Sequence, residues 1–382
     1  MTKPRLLFYC QHLLGIGHLT RSLAICEALN EDFEVHFLQG GPDVGKTLKH
    51  PSFHHHFLTP LLMRESDCSL YDPAGVKTAE EIFQERQQSI NTLLGDLPFA
   101  AVITELFPFG RNKFKGEVMD LIQKARTVNS MVHVSCSIRD ILVEKKDSVE
   151  REMKMVRLVE ENYDAVFVHS DPQILRFEET FSQATRLQEK LCYTGFVTES
   201  PKAKHSLGRR NEILISMGGG VVGDELVLAA LEIMPSLPEY LFRVAPGPYA
   251  SEALKKTLAE KAANNPQLRI EPFLNNFEEE LSQVALSISL AGYNTMMNIL
   301  NTRTPALVYP YMANIEQNLR ATRMADQGLL SVIYEKDLTP ADLLKKVKNQ
   351  LQHQWPSLEV GLKGAKQTSK LLSNILQERT NS

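Results

Sequence analysis

Short apolar segments alternate with amphipathic segments along the chain, and this alternation predicts strands separated by helices. Residues 6–10 form the first apolar segment, and a glycine-containing turn leads from it into residues 18–29, whose apolar side chains share one helical face. The same pattern predicts further strands at 34–39, 100–104, 131–136, 165–169 and 191–195, and helices at 115–126 and 148–162. Strands joined through helices build a parallel sheet, so we expect a doubly wound α/β domain.

Residues 198–210 interrupt this pattern, because they are rich in Ser, Pro, Lys and Arg and lack apolar periodicity. Such a composition is typical of an exposed connector between domains. The alternation then resumes, with strands predicted at 212–217, 241–245, 268–272, 286–290, 306–309 and 330–334 and a helix at 224–234. The sequence therefore predicts two α/β domains of Rossmann-like, doubly wound topology, at 1–200 and 211–355. A C-terminal helix within 356–382 is expected to pack back on the first domain.

Composition and charge argue against several classes of protein. The 382 residues include 42 Lys and Arg against 46 Asp and Glu, and the net charge of -4 supplies no field for binding nucleic acid. The five cysteines are scattered and contain no CxxC pair, which argues against a disulfide framework or a cysteine zinc site. The sequence shows neither a signal peptide nor 18 consecutive apolar residues, so a cytoplasmic location is expected.

Glycine turns follow predicted strands at residues 15–17, 218–220 and 291–292. Such turns let a ligand approach free backbone N–H groups, and the helix dipole that follows favours phosphate or another anion. Packing alone is the alternative explanation for each turn.

His18 follows Gly17 at the predicted start of the first helix. The positive end of a helix dipole lowers the pKa of an imidazole there, which suits a general base; a capping histidine is the alternative. Arg21 lies one turn further along and can hold an anionic group. In the second half, Thr295 offers a hydroxyl beside a glycine turn, and Glu316 and Gln317 open the helix after another strand. A solvated helix start is the alternative for this last pair.

The order and spacing of these motifs resemble the GT-B glycosyltransferases of family 28, the MurG-like transferases, over nearly the whole chain. The resemblance is carried by GxGHxxR at 15–21, the triple glycine at 218–220, the segment 291–295, the segment 305–310 and Glu316-Gln317. Segments 104–111 and 137–142 also resemble a bacterial subgroup of predicted glycosyltransferases.

The resemblance implies two domains facing a central cleft, with an acceptor in the first and a nucleotide sugar, usually UDP-linked, in the second. It implies inverting transfer of a hexose or N-acetylhexosamine to a lipid, glycan or small-molecule acceptor, with His18 as base and no metal or other cofactor. The implied donor-binding residues are Gly218, Gly219, Gly220, Phe273, Leu274, Gly292, Asn294, Thr295, Asn298, Glu316 and Gln317. The implied acceptor-binding residues are Gly15, Gly17, Arg21, Glu105 and Arg139.

One residue departs from the family pattern. Asn298 stands where the family usually has a glutamate that grips the ribose hydroxyls, and loss of that charge-assisted bond is expected to weaken donor binding by about 1 to 2 kcal/mol. Two alternatives therefore stay open beside the transferase: a nucleotide-sugar hydrolase or epimerase, and a non-catalytic nucleotide-sugar-binding protein.

Two further segments have competing interpretations. The triplet His54-His55-His56 suggests a metal site, but consecutive strand residues point to opposite faces, so we expect surface histidines and no metal. Residues 106–115 mix phenylalanines with cations, which fits peripheral contact with the inner face of the membrane if the acceptor is a lipid. An ordinary loop packed at a cleft is the more frequent explanation for such a stretch.

Overall fold

The computed structural model describes residues 3–13, 17–64, 66–95, 97–142, 148–198, 208–219, 222–272, 274 and 276–381. The chain forms two units. Unit 1 comprises Met1–Val197 together with Lys363–Ser382, and unit 2 comprises Thr198–Leu362. The chain therefore leaves the first unit once and returns to it with its last helix.

Unit 1 is built on a seven-stranded sheet with the order β3-β2-β1-β6-β7-β8-β9, and all of its described pairings are parallel. Its strands are β1 (Arg5–Cys10), β2 (Glu34–Gln39), β3 (Phe53–Phe57), β6 (Ala101–Glu105), β7 (His133–Arg139), β8 (Ala165–His169) and β9 (Leu191–Tyr193), with a hairpin of β4 (Leu62–Met63) and β5 (Leu70–Tyr71). Its helices are α1 (Gly17–Leu29), α2 (Ala79–Leu94), α3 (Lys115–Val128), α4 (Ser148–Asn162) and α11 (Gly364–Asn381).

Helix α11 packs against α1 in a core that covers one face of this sheet. Leu372 is fully buried there with Leu19, Cys26 and Leu29 of α1. A hydrogen bond from Ser369 Oγ to Asp32 (2.8 Å) fixes the same contact. The C-terminal helix is thus part of unit 1.

Unit 2 repeats the architecture with six strands in the order β12-β11-β10-β13-β14-β15, again parallel at each described pairing. Its strands are β10 (Arg210–Ser216), β11 (Leu241–Ala245), β12 (Leu268–Ile270), β13 (Val284–Leu290), β14 (Ala306–Tyr309) and β15 (Ser331–Val332). Its helices are α5 (Asp224–Ile233), α6 (Glu252–Ala263), α7 (Phe277–Gln283), α8 (Tyr293–Thr302), α9 (Ile315–Asp326) and α10 (Pro340–Leu351). The predicted α/β class with doubly wound parallel sheets is confirmed for both units.

The strand orders create one switch point in each sheet. In unit 1 the chain moves outward from β1 to β3 and then returns to place β6 on the other side of β1; in unit 2, β10 and β13 have the same relation. The loops at the carboxyl ends of two such strands diverge to opposite faces and leave a crevice, which is where open α/β sheets bind ligands. We therefore expect a candidate site at the loops after β1 and β6 in unit 1, and another at the loops after β10 and β13 in unit 2.

Several predicted strand boundaries are wrong. The strand predicted at 131–136 begins at His133, because the Asn129 side chain accepts a hydrogen bond from the Met131 amide (3.0 Å) and holds that segment in a turn. It also continues to Arg139. The strand predicted at 330–334 is reduced to Ser331–Val332 at the edge of its sheet. The histidine triplet is half-buried in the edge strand β3, rather than lying on the surface.

None of the helices in the described part of the chain combines the length and the apolar character that crossing a bilayer requires.

Candidate active site

A histidine and a glutamate meet at the switch point of unit 1. His18 lies in the first turn of α1, directly after the loop that follows β1, and Glu105 is the last residue of β6. His18 Nδ1 is 2.6 Å from Glu105 Oε1, although the two residues are 87 positions apart. Arg21 donates from Nη2 to the same carboxylate oxygen at 2.6 Å. Because β1 and β6 are adjacent, the fold brings these three predicted residues together.

The site is buried on one side and open on the other. The Glu105 side chain is completely buried and that of Arg21 is 5% exposed, whereas the His18 side chain is 23% exposed. His18 uses Nδ1 toward Glu105, which leaves Nε2 as the nitrogen that can meet a substrate. Arg21 and Glu105 are both enclosed and hold the imidazole; that they also contact the acceptor stays a prediction.

The charges of this cluster fix its protonation. Burial favours the neutral form of Glu105, but His18 and the two guanidinium groups of Arg21 and Arg111 outweigh it and lower the pKa of the carboxyl to about 2. The Glu105 charge alone would raise the pKa of His18. Burial together with Arg21 and Arg111 outweighs that charge, so the pKa of His18 lies below its ordinary value. A neutral imidazole that donates from Nδ1–H to a carboxylate has an acceptor lone pair at Nε2.

The ionised Glu105 stabilises unit 1, and acid removes this contribution. The pKa in the folded chain, about 2, lies below the ordinary 4.5, so the contribution is complete above pH 4.5 and is lost as pH falls toward 2. A shift of this size corresponds to about 3 kcal/mol. We expect Glu105→Gln to differ from the wild type most above pH 4.5 and progressively less toward pH 2, in urea unfolding at a series of pH values. Exposed Glu27 on α1 provides the control, Glu27→Gln, and parallel pH curves for the wild type and Glu105→Gln would contradict this assignment.

Two other predicted acceptor residues lie near this edge of the sheet. Gly17 opens α1, and a methyl group built on it would meet nothing within 4 Å. Arg139 ends β7, at the carboxyl edge of the sheet, and forms an ion pair with Asp140 (3.7 Å). Gly15 lies outside the described residues.

The segment at 106–115 is a packed loop. Phe107, Phe109 and Phe114 are each at most 4% exposed, and Phe109 packs edge-on against Phe177 and Phe181. These aromatic side chains belong to the core of unit 1. Of the two interpretations of this segment, the structure thus agrees with the packed loop.

Unit 2 has a cavity at its own switch point. It has a volume of about 210 Å³ and is lined by Ser216, Gly218, Ala245, Gly247, Pro272, Leu274, Phe277 and Thr295. Three of these residues, Gly218, Leu274 and Thr295, were predicted from the sequence. Ser216 and Ala245 were missed because they are ordinary strand ends whose position at the crevice depends on the strand order. The lining is mostly apolar and includes the hydroxyl-bearing residues Ser216 and Thr295, which suits a nucleoside.

The two helices that begin at this crevice differ in charge. Helix α8 has Gly292 as its N-cap, with no side-chain cap and no acidic residue in its first turn. Its first amides, including those of Asn294 and Thr295, have no acceptor within the helix, and the dipole favours an anion there. Helix α5 begins with Asp224 and Glu225, which repel an anion. A diphosphate is thus better placed at α8 than at the Gly218-Gly219 turn.

Gly247 shapes the wall of the cavity. Its φ is +85°, and an added Cβ would collide with the carbonyl oxygen of Gly218 and lie 3.0 Å from that of Gly219. The Tyr249 amide donates to that Gly219 oxygen at 3.0 Å, so the two loops are in direct contact.

We expect Gly247→Ala to destabilise unit 2 and to weaken ligand binding in the cavity, because the methyl group must push these loops apart. Gly328→Ala is a matched control, since Gly328 also has positive φ (+68°) but open space around its Cβ. The control should cost about 1 to 2 kcal/mol of unfolding free energy, from backbone strain alone. Equal losses in the two variants, measured by urea unfolding, would mean that the loop contact contributes nothing.

The remaining predicted donor residues occupy nearby helices. Asn298 lies one turn beyond Thr295 on the same face of α8. Glu316 pairs with buried Arg320 (3.8 Å), and Gln317 Oε1 accepts from the Tyr311 amide (3.0 Å), closing the turn before α9. Both side chains at the start of α9 thus have structural contacts within unit 2. Gly220 and Phe273 lie outside the described residues.

Residues 213–373 match the sequence model of the glycosyltransferase family 28 C-terminal domain. This part of the chain is similar to that domain. The resemblance inferred from the sequence is thereby confirmed, and the cavity and the α8 N-terminus lie within that domain.

Two curated relatives with the same name match parts of the chain. A UDP-N-acetylglucosamine--N-acetylmuramyl-(pentapeptide) pyrophosphoryl-undecaprenol N-acetylglucosamine transferase of Bacillus cytotoxicus is 29% identical over 154 residues, which cover 38% of this chain and 42% of the relative. Its namesake in Lactococcus lactis subsp. cremoris is 24% identical over 212 residues, 50% of this chain and 57% of the relative. The chain thus spans about half the length of the curated relatives it matches.

Solved structures are similar over nearly the whole chain. Acinetobacter baumannii MurG matches with a TM-score of 0.61 at 17% identity, covering 97% of this chain and all of that one. The calicheamicin glycosyltransferase CalG4 matches with a TM-score of 0.58 at 14% identity, covering 100% of this chain and 98% of that one. The fold is that of the GT-B glycosyltransferases.

Proposed function

We propose that this chain is an inverting glycosyltransferase that moves a hexose or N-acetylhexosamine from a nucleotide-diphosphate sugar, UDP-linked, to a hydroxyl acceptor. The observation that carries the proposal is the His18–Glu105 pair at the switch point of unit 1, in a chain whose residues 213–373 match the family 28 C-terminal domain. The pair supplies a base with an open nitrogen, and the family 28 domain supplies a cavity suited to a nucleotide.

The proposed reaction begins with the acceptor hydroxyl hydrogen-bonded to His18 Nε2. As the hydroxyl oxygen attacks the anomeric carbon, its proton passes to Nε2 and the bond from that carbon to the diphosphate breaks. The charge of Glu105 stabilises the imidazolium that forms, and its bond to Nδ1 keeps the ring oriented. Arg21 keeps Glu105 ionised and in position.

The leaving diphosphate gains negative charge in the transition state. We propose that the free amides and dipole at the start of α8 stabilise that charge and that the reaction needs no metal ion. The nucleoside would occupy the neighbouring cavity against Leu274 and Phe277. Asn298, one turn further along α8, is the proposed contact to the ribose.

The acceptor class follows from the relatives by analogy. The matched curated transferases are named for an undecaprenol-linked acceptor, which makes a lipid-linked sugar the first candidate, ahead of glycans and small molecules. A lipid-linked acceptor would bring the protein to the inner face of the membrane, in peripheral contact.

The test is calorimetric titration of the purified full chain with UDP, UDP-N-acetylglucosamine, UDP-glucose and GDP-mannose, followed by measurement of nucleotide release from the sugar that binds. We expect one UDP-sugar to bind in preference to the others, and release of UDP to accelerate when a hydroxyl acceptor is added. Release that does not depend on any acceptor would support the hydrolase alternative. Tight binding with neither release nor transfer would support a binding protein, and binding of none of the nucleotides would overturn the proposal.

A further inference from the structure

A cluster of imidazole and carboxylate groups lies where edge strand β3 pairs with β2 in unit 1. The parallel register sets His54 directly beside His36. Side chains alternate between the two faces along a strand, so Glu34, His36, His54 and His56 share one face, and His55 points to the other. The consecutive histidines cannot share an ion among themselves, but two of them join side chains of the neighbouring strand.

The distances within this β2–β3 cluster match those of a metal site. Glu34 Oε1 lies 3.5 Å from His36 Nε2 and 3.3 Å from His54 Nε2, and the three atoms lie within 4.8 Å of one another. Ligands at about 2.0 to 2.1 Å from a tetrahedral Zn²⁺ are about 3.3 Å apart. The His54 side chain is 41% exposed, so its ring has room to turn toward a shared ion.

His36 is the buried member of the cluster, and one of its ring nitrogens lacks a hydrogen-bond partner and faces Glu34. The His36 side chain is 8% exposed, and its Nε2 is buried without a hydrogen-bond partner. Its other nitrogen, Nδ1, is 3.1 Å from His56 Nε2. When Nδ1–H donates to His56, Nε2 presents a lone pair toward the Glu34 carboxylate, and a cation between these two groups satisfies both.

We propose that Glu34 Oε1, His36 Nε2 and His54 Nε2 bind one divalent transition-metal ion of the Zn²⁺ type. Two imidazoles and one carboxylate form a common ligand set for such ions, with water in the fourth position on the exposed side. His56 orients His36 from behind, and Arg5 Nε lies 3.5 Å from the second oxygen of Glu34. The ion ties the edge strand β3 to β2.

This site is separate from the proposed transfer reaction. Glu34 is the first residue of β2, whereas His18 follows the carboxyl end of β1, and these are opposite ends of a parallel pair. Zn²⁺ binding at this site and transferase activity can therefore be tested independently of each other.

The experiment titrates ZnCl₂ into the full chain, purified without an affinity tag and freed of metal with a chelator. We expect one equivalent of Zn²⁺ to bind and to raise the melting temperature. His54→Ala should weaken binding at least about 10-fold, since loss of even an outer-sphere partner has an effect of that size. The position is half-exposed, so the variant is expected to fold. Titration with Co²⁺ should also give the visible absorption of a four-coordinate site.

The matched control is His55→Ala, which removes an imidazole from the same strand on the opposite face, where it contacts Thr47 and Gln39. It should bind Zn²⁺ as the wild type does. The proposal is overturned if the wild type binds no Zn²⁺, if His54→Ala binds as tightly as the wild type, or if the two variants lose affinity equally.

Discussion

Replacing His18 with alanine is expected to lower the rate of sugar transfer by about 100- to 10,000-fold, the usual contribution of a positioned general base. Binding of the nucleotide sugar should be unchanged, because the cavity that we assign to it lies wholly in unit 2. The fold should also survive, since Arg21 still neutralises the buried Glu105 at 2.6 Å. The measurements are the initial rate of UDP release with the acceptor present and calorimetric binding of the UDP-sugar.

A double substitution tests whether Glu105 acts on the reaction only through His18. If Glu105 acts only through His18, then Glu105→Gln added to His18→Ala should slow the reaction little beyond the single variant, because residues that act as a unit are not additive. His50→Ala, at an exposed histidine of unit 1, is the control for nonspecific loss. Full activity in His18→Ala would mean that another group removes the proton.

The second large effect is expected at a buried ion pair between α2 and α3 of unit 1. Arg86 is fully buried on α2 and binds Glu117 of α3 through two nitrogens, at 2.6 and 2.7 Å. It also donates to the carbonyl of Gly40 and to the side chain of Gln11, which follow β2 and β1. Arg86→Met should reduce the free energy of unfolding by about 3 to 5 kcal/mol, because it leaves the Glu117 charge buried without its partner.

Urea unfolding measures this loss, and a second variant identifies its cause. In Arg86→Met combined with Glu117→Leu no charge is left buried, so we expect part of the stability to return. Lys77→Ala removes an exposed ion pair with Glu85 and should change unfolding little. A loss in Arg86→Met no larger than in Lys77→Ala would show that the buried pair contributes nothing.

The sequence alone was enough to predict the fold class and several elements. The strand at 34–39 and the helix at 148–162 were predicted with the bounds that the structure has, because apolar periodicity is a local signal. Short edge strands such as β15 were overestimated, since an apolar residue near a sheet edge looks the same in sequence whether or not it has a pairing partner.

The features of the candidate site also fall into those that the sequence determined and those that the tertiary structure determined. Sequence determined that His18 opens a helix after a glycine turn and that a glycine precedes α8, because these are relations between neighbours along the chain. Only the tertiary structure decided which distant groups join them. Glu105 reaches His18 because β6 lies beside β1, and His54 reaches Glu34 because β3 pairs with β2 in one particular register. Strand order and register depend on the packing of the whole sheet, so no local pattern contains them.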